Sequence, residues 1–320
     1  MFKNTKNILI TGGAGYIGQN LTSFFIKERF KKISIIDNLS TSKKVNKKIK
    51  KYINFYNIDL TNKKKMDSFF KKKNFDLIIH LAAFSGVKEF NQNITKNFNN
   101  NILATKNLLK FGFKKKNTKL IFASSAAVYG KVSLKKISEN KICKPVNYYG
   151  LSKQACENII YNQLKNKKNH YAILRYFNVV GSIVDFKIKK KIYSLLDIIG
   201  NKVSEKKYSI KINGKANTKD QTPERDFIHI YDLCRIHSKV YSYLNKNSQI
   251  ILNCGSGKRY SVLQIIRKVE KLINKKFKIS YKRKNPDETE TICSNTDKLK
   301  KLIKLEFKKN TLKDYIKDYL

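Results

Sequence analysis

The sequence predicts an α/β fold: a doubly wound parallel sheet followed by a smaller α/β lobe. Short apolar runs alternate with helix-length segments through the first half of the 320 residues, the pattern of strands joined by crossover helices. The candidate strands are nearly continuous apolar runs, as in LIIHLAA and KLIFASS, which suits a sheet covered on both faces. The first run leads directly into a glycine-rich turn, ILITGGAGYIGQNL, in the Rossmann-like order of strand, tight turn and helix.

Taken in order, residues 8–10 form the first strand, and Gly12, Gly13, Gly15 and Gly18 the turn. Glycines let such a turn close and let backbone approach a pyrophosphate, whose charge meets the N–H groups at the helix start. Residues 33–36 read as the next strand and end at Asp37, 19 positions after Gly18. A carboxylate there grips the ribose hydroxyls of NAD; an ordinary turn followed by a surface aspartate fits this context less well. Further strands are expected at 53–58, 76–81, 119–123 and 171–175, with helices at 63–73, 94–112 and 148–165. Beyond Gly181 the pattern loosens into a helix at 187–199, a polar stretch at 215–225 and a segment around Pro286. The expected organisation is therefore a nucleotide-binding domain over 1–180 and a smaller substrate-binding lobe over 181–320. The segment of about 226–250 is expected to return to the first domain.

Composition narrows the classes. With 41% hydrophobic residues the chain is globular, and its length allows a large buried core. The opening apolar run is too short for a signal peptide and no apolar stretch approaches a bilayer span. Five widely spaced cysteines form no paired metal pattern, so reduced thiols in a cytoplasm and no bound metal are expected. A net charge of +46 attracts polyanions without sequence preference. Yet the excess is mostly lysine, in short clusters along the whole chain (43–51, 63–65, 71–73, 114–116, 187–191) and accompanied by abundant Asn and Ile. That distribution reads as compositional bias on solvated faces, with neither a specific nucleic-acid site nor a membrane site.

The chemistry-bearing residues are Tyr149 and Lys153, four apart in NYYGLSKQACE and so on one helix face. A phenol of pKa ~10 is a poor base at neutrality, and lowering it by ~3 units takes about 4 kcal/mol of differential stabilisation, which a nearby cation favours. Ser124 and Ser125 end the strand at 119–123, where open α/β sheets place their ligands. Tyr and Lys at helical spacing are commonplace alone; the serines give the pair its meaning. His80 and His229 read as structural, and His170 and His237 lack metal-type partners.

Together TGGAGYIG, Asp37, HLAA, FASSAAVYG, YYGLSK and LRYFNVVG resemble the extended short-chain dehydrogenase/reductase family of nucleotide-sugar enzymes. Within it, the stretches from Asn213 to Leu233 and from Asn253 to Val262 are similar to the UDP-glucose 4-epimerase branch. The resemblance implies NAD held through each cycle, a UDP-hexose substrate and a homodimer built on the helices at 94–112 and 148–165. It also implies site roles. Tyr149 would be the base on the sugar 4-hydroxyl, Lys153 would bind the nicotinamide ribose and tune Tyr149, and Ser125 would hydrogen-bond the reacting oxygen. Gly12, Gly15, Tyr16, Ile17 and Gly18 would cradle the pyrophosphate, with Asp37 and Asn38 on the adenosine ribose and Asp59 and Leu60 at the adenine. Ala82, Ala83, Asn101 and Phe177 complete the cofactor set. Asn178, Arg225, Arg283 and Asp287 would hold UDP, arginine matching a diphosphate with its planar fork.

Departures from the family pattern concern the nucleotide and the sugar. Ser85 stands where a lysine is usual, lysines at 187–191 replace a loop that carries an Asn, and either Arg283 or Lys284 is the phosphate ligand. The family's sugar-pocket position falls in Thr291, Ile292, Cys293 and Ser294. None is aromatic, which implies room for an N-acetyl group unless Phe84 or Tyr193 closes the space. The implied reaction is epimerisation at C4 through a transient 4-keto sugar. A dehydratase needs an acid and a base beside the serine, where this chain has Ala126 and Ala127, and Asp37 opposes the 2′-phosphate of NADPH. A non-catalytic NAD-binding or RNA-binding protein is the competing class.

Overall fold

The computed structural model describes residues 7–42, 44–85, 90–114, 117–132, 135–165, 169–184, 194–282 and 289–320. The first half runs β1 (Asn7–Thr11), α1 (Tyr16–Lys27), β2 (Lys32–Ile36), α2 (Lys47–Lys50), β3 (Ile53–Tyr56), α3 (Lys63–Lys72), β4 (Leu77–His80), α4 (Ile94–Gly112), β5 (Lys119–Ser125), α5 (Tyr148–Leu164) and β6 (Tyr171–Tyr176). The second half follows with β7 (Asn178–Val180), α6 (Leu195–Ser204), β8 (Ser209–Asn213), β9 (Glu224–His229), α7 (Ile230–Tyr243), β10 (Gln249–Cys254), β11 (Arg259–Ser261), α8 (Val262–Ile273), β12 (Lys278–Lys282), β13 (Thr291–Ile292), α9 (Asp297–Ile303) and α10 (Leu312–Lys317).

The main sheet has the order β10-β6-β5-β4-β1-β2-β3, and all its pairings are parallel. Its strands are buried on both faces, which is why they read as unbroken apolar runs. One face packs Leu21 and Phe25 of α1 with Leu233, Ile236 and Val240 of α7. The other packs Phe69 and Phe70 of α3 with Leu108 and Leu109 of α4 and Ile160 of α5. Asparagine, abundant in this chain, starts several of these helices: Asn62, Asn93 and Asn147 each accept a bond from a first-turn amide. Such caps are worth about 1 kcal/mol each.

The second lobe holds a sheet of β11, β9 and β13, with β7 added on β9, and a separate pair, β12 with β8. Its core gathers Ile199, Ile210, Phe227, Ile265, Ile266 and Tyr315. The segment expected to return at 226–250 divides. Its strand β9 stays in the second sheet, because β11 and β13 offer it the nearer pairing. Helix α7 then packs back on α1 and β10 takes the free side of β6. Of the helix expected at 187–199, the described part begins at Leu195, after a Ser194 capping box with Asp197, and runs to Ser204. No described helix is long and apolar enough to cross a membrane.

Candidate active site

A cleft of about 370 Å³ opens at the carboxyl ends of the main strands, the position that parallel α/β sheets reserve for ligands. Gly12, Gly15, Tyr16, Ile17 and Gly18 line one end, and Asp37 and Asn38 the side after β2. Asp59 and Leu60 follow β3, Ala82 and Ala83 follow β4, and Tyr149 and Lys153 close the far end. The glycine turn is built for backbone approach. A Cβ on Gly18 would lie 2.5 Å from the Gly13 Cα, and one on Gly12, at φ +70°, would lie 2.7 Å from the Ala82 amide nitrogen. Helix α1 starts with no side-chain cap and no acidic residue in its first turn, so its positive end faces the cleft uncompensated.

Asp37 is buried where β2 ends, with its oxygens accepting from the Ala14 and Leu39 amides at 3.0 and 2.8 Å. Burial raises its carboxyl pKa and those two amides oppose the rise. Asn38 donates to Asp59 at 2.9 Å, and Asp59 also accepts from the Thr61 amide and hydroxyl. These three residues form one polar edge beside Leu60.

The three residues that end β5 each meet a different turn of α5. Ser125 stands where it lowers the pKa of Tyr149, in the first turn of α5, and its Oγ accepts the Ala127 amide at 3.1 Å. The Ala123 carbonyl accepts from Lys153 Nζ at 2.7 Å. Ser124 donates to Glu157. The approach of α5 depends on Gly150, whose Cβ would lie 2.5 Å from the Ala127 carbonyl oxygen. Burial raises the Tyr149 pKa, and the Ser125 bond lowers it. Burial likewise pushes the Lys153 ammonium down to about 8, against the favourable fields of Cys156 and Glu157. Without a ligand Tyr149 is therefore a phenol, and proximity to Lys153 along the helix does not outweigh desolvation. Below it, buried His80 bridges the Thr11 and Thr105 hydroxyls at 2.8 and 3.1 Å. Burial, then the Lys153 charge, lowers its pKa to about 3.

Other residues expected at the site stand one layer back. Asn101 is buried and brackets Phe84, accepting its amide at 2.8 Å and donating to its carbonyl at 3.2 Å. It shapes the cleft through Phe84, which lines it. Phe177 packs with Ala126, Tyr129 and Ile292 behind the serine turn. Asn178 donates to the Asp226 carbonyl, and Arg225 to the Glu224 and Glu290 carbonyls at 3.0 and 3.1 Å. Asp226 is fully buried and accepts from Ser256, Gly257 and Ser294, so it points away from any surface pairing with Arg225. Arg283, Lys284, Asp287, Tyr193 and the lysines at 187–191 lie outside the described residues. Tyr176 and Val179, inside the LRYFNVVG motif, also line the cleft, as do Ser194 and Asp197, which no motif announces. Glu157 had a usable signal, since it continues the Tyr149–Lys153 face by one more turn.

With this geometry in place, known proteins supply the family. The NAD dependent epimerase/dehydratase family matches residues 8–255. The chain belongs to that family. A UDP-glucose 4-epimerase of Mycoplasma genitalium is 34% identical, covering 97% of this chain and 94% of its own length. Among solved structures, UDP-glucose 4-epimerase from Bifidobacterium longum, in complex with NAD+ and UDP, superposes with a TM-score of 0.89 at 27% identity, covering 98% and 97% of the two chains. The UDP-Glc/GlcNAc 4-epimerase of Campylobacter jejuni superposes with a TM-score of 0.82 at 30% identity, covering 98% and 99%. Membership in the epimerase/dehydratase family makes this an NAD-dependent enzyme, and the cleft fits that cofactor. Gly12 and Gly18 let the turn fold tightly against backbone below the uncapped start of α1, and a carboxylate stands at the end of β2.

Proposed function

We propose that the enzyme epimerises C4 of a UDP-hexose through a transient 4-keto sugar. The observation that carries this reading is Tyr149 and Lys153 lining a cleft shaped for NAD together with Ala123 and Ser124, with Ser125 ending the same strand. NAD, when bound, supplies a hydride acceptor and, once reduced, a hydride donor. Gly12, Gly15 and Gly18 with the start of α1 hold its pyrophosphate, and Asp37 the adenosine ribose. Tyr149 takes the proton of the sugar 4-hydroxyl and returns it at the end of the cycle. Ser125 holds the reacting oxygen beside Tyr149. Lys153, 2.7 Å from the Ala123 carbonyl, would hold the nicotinamide ribose, and its charge favours the phenolate once a ligand excludes water. Asn178, Arg225 and Arg283 with Asp287 anchor UDP while the sugar turns over.

The serine is followed by Ala126 and Ala127. Neither can move a proton, so a dehydratase elimination has no acid or base at this point. Purified protein should convert UDP-galactose to UDP-glucose without added cofactor and release NAD on denaturation. Retained NAD with no conversion would favour the non-catalytic reading, and recovery of NADP alone would contradict the role of Asp37.

The sugar pair includes glucose and galactose and extends to their N-acetylated forms, because the 291–294 segment carries no aromatic side chain. The functional unit is a homodimer in a cytoplasm. Helices α4 and α5 pack side by side and expose Leu103, Tyr148, Leu151 and Tyr161 at 42–50%, an apolar surface suited to a matching pair of helices. Sedimentation should give about twice the monomer mass, and Leu103→Glu with Leu151→Glu should halve it.

A further inference from the structure

Glu157 is a buried carboxylate that the reaction above does not use. It sits two turns beyond Tyr149 and one beyond Lys153 on α5, only 5% exposed. Arg175 of β6 pairs with it through two bonds, Nη2 to Oε2 at 2.7 Å and Nε to Oε1 at 3.1 Å, and Ser124 donates to Oε1. Strand register makes this possible, because β5 and β6 pair Ser124 with Arg175 and Ser125 with Tyr176. Arg175 is held in turn by the Tyr129 hydroxyl at 3.0 Å and the Glu139 carbonyl at 3.2 Å. Tyr129 donates to Asn253 at 2.7 Å. The other titratable groups facing Glu157 are Lys153 and Cys156 of its own helix and Cys143 of the loop before it.

We propose that Glu157, through its bonds to Ser124 and Arg175, is a positioning residue that fixes the end of β5 against α5 and so sets the Ser125–Tyr149 contact. The inference rests on the epimerase reading for its kinetics, but the bonds of Glu157 to Ser124 and Arg175 exist whatever the substrate. Ser124 and Ser125 are consecutive at the end of β5, so tying Ser124 to Glu157 fixes the backbone that carries Ser125 relative to the first turn of α5. A buried ion pair is weak evidence of stabilisation, since burial costs much of what the pair gains, and a geometric role is the better account of its place here.

The test uses two variants of the NAD-bound protein. Ser124→Ala cuts the tether and leaves the ion pair intact; Glu157→Gln keeps an acceptor for Ser124 but leaves Arg175 without a counter-charge. For Ser124→Ala we expect kcat to fall about tenfold, KM for UDP-galactose to stay within about twofold, and the rising limb of the kcat–pH profile to move to higher pH. The sign follows from Ser125, which lowers the Tyr149 pKa; displacing it makes Tyr149 harder to deprotonate. Ser124→Thr, which retains the hydroxyl, should restore the profile. Independently of any substrate, ¹³Cζ-tyrosine NMR with the Tyr149 signal assigned through Tyr149→Phe should show the same upward move. Glu157→Gln should shift both readouts in the same sense where it folds. An unchanged Tyr149 titration in Ser124→Ala overturns the positioning role even if epimerisation is fully confirmed. A shifted titration in a protein inactive on every UDP-sugar sustains it while removing the epimerase reading.

Discussion

On the cofactor wall of the cleft, Gly12, Asp37 and Asp59 enter from the turns after β1, β2 and β3, and Gly18 from the first turn of α1. The residues proposed to hold the substrate, the substrate wall, stand behind the cleft instead: Asn178 and Arg225 come from β7 and β9 of the second lobe and bind backbone carbonyls. The first wall is assembled by single strand-turn-helix units, whose spacing is written locally. The second depends on pairings between segments far apart, such as β9 with β11 and β13. On the proposed roles, cofactor and proton chemistry belong to the first wall and the choice of sugar to the second, so changes on the two should separate into rate and cofactor effects and substrate effects.

Tyr149→Phe should show the largest effect. It removes the proton acceptor with little change of shape, and turnover should drop by at least the ~10²-fold typical of general-base loss. NAD released on denaturation should stay at the wild-type amount. Near-normal turnover would place the base elsewhere; lost NAD would mean that Tyr149 belongs to cofactor binding and break the separation.

Gly18→Ala probes the cradle. The added methyl would stand 2.5 Å from the Gly13 Cα and 2.6 Å from the Gly12 carbonyl oxygen, both backbone, so the turn must shift. Forced overpacking of this kind costs about 1–3 kcal/mol. Denaturant titration should register that loss and chromatography a lower NAD content, with KM for the UDP-sugar little changed in molecules that keep NAD. Unaltered stability would show that the turn is looser than its contacts imply.

His80 ties the cofactor wall to acid. Its folded pKa of about 3 lies below the ordinary ~6.5, so the unfolded chain binds the proton first. The stability held above pH 6.5 is therefore lost as pH falls from there toward 3, amounting at pH 5 to about 2 kcal/mol for this side chain. His237, lowered to about 4 by burial, acts in the same direction. Denaturant titrations at pH 7.5 and 5.0 should show a smaller loss in His80→Gln than in the wild-type protein. Equal losses would mean that the imidazole is not held neutral.

Helix α4 occupies the 94–112 span read from its pattern, and six of the seven main strands fall within two residues of the expected runs, because burial on both faces leaves an unbroken apolar signature; β10, the seventh, had no expected run. The Tyr149–Lys153 face was legible for the same reason, periodicity within one helix. Glu157 shares that periodicity, but its partner Arg175 arrives from the next strand, and only the register of β5 with β6 brings the two together. The Asp226 strand read as part of the main sheet because an apolar run does not name its neighbour. Arg225 stood out by its motif, while its carbonyl partners come partly from Glu290, 65 residues away.

The smallest effect expected is the choice between sugars, and it tests the substrate wall. Thr291 and Ile292 form β13 against β9, while Cys293 and Ser294 are buried beyond it, Ser294 held by Asp226. Of the four, Thr291 is the most accessible candidate to border the sugar, and its side chain is small. Crowding by one group is worth only about 1–3 kcal/mol. We therefore expect kcat/KM for UDP-galactose and UDP-GalNAc to differ by less than about tenfold, and Thr291→Tyr to lower the N-acetylated rate about tenfold more than the other. NAD content should not change. Brisk UDP-galactose conversion with no turnover of either N-acetylated sugar would mean that another side chain, Phe84 among those lining the cleft, closes the space. An equal loss on both sugars in Thr291→Tyr would show the residue acting through the β13–β9 pairing and Arg225, which would join the two walls that the comparison separates.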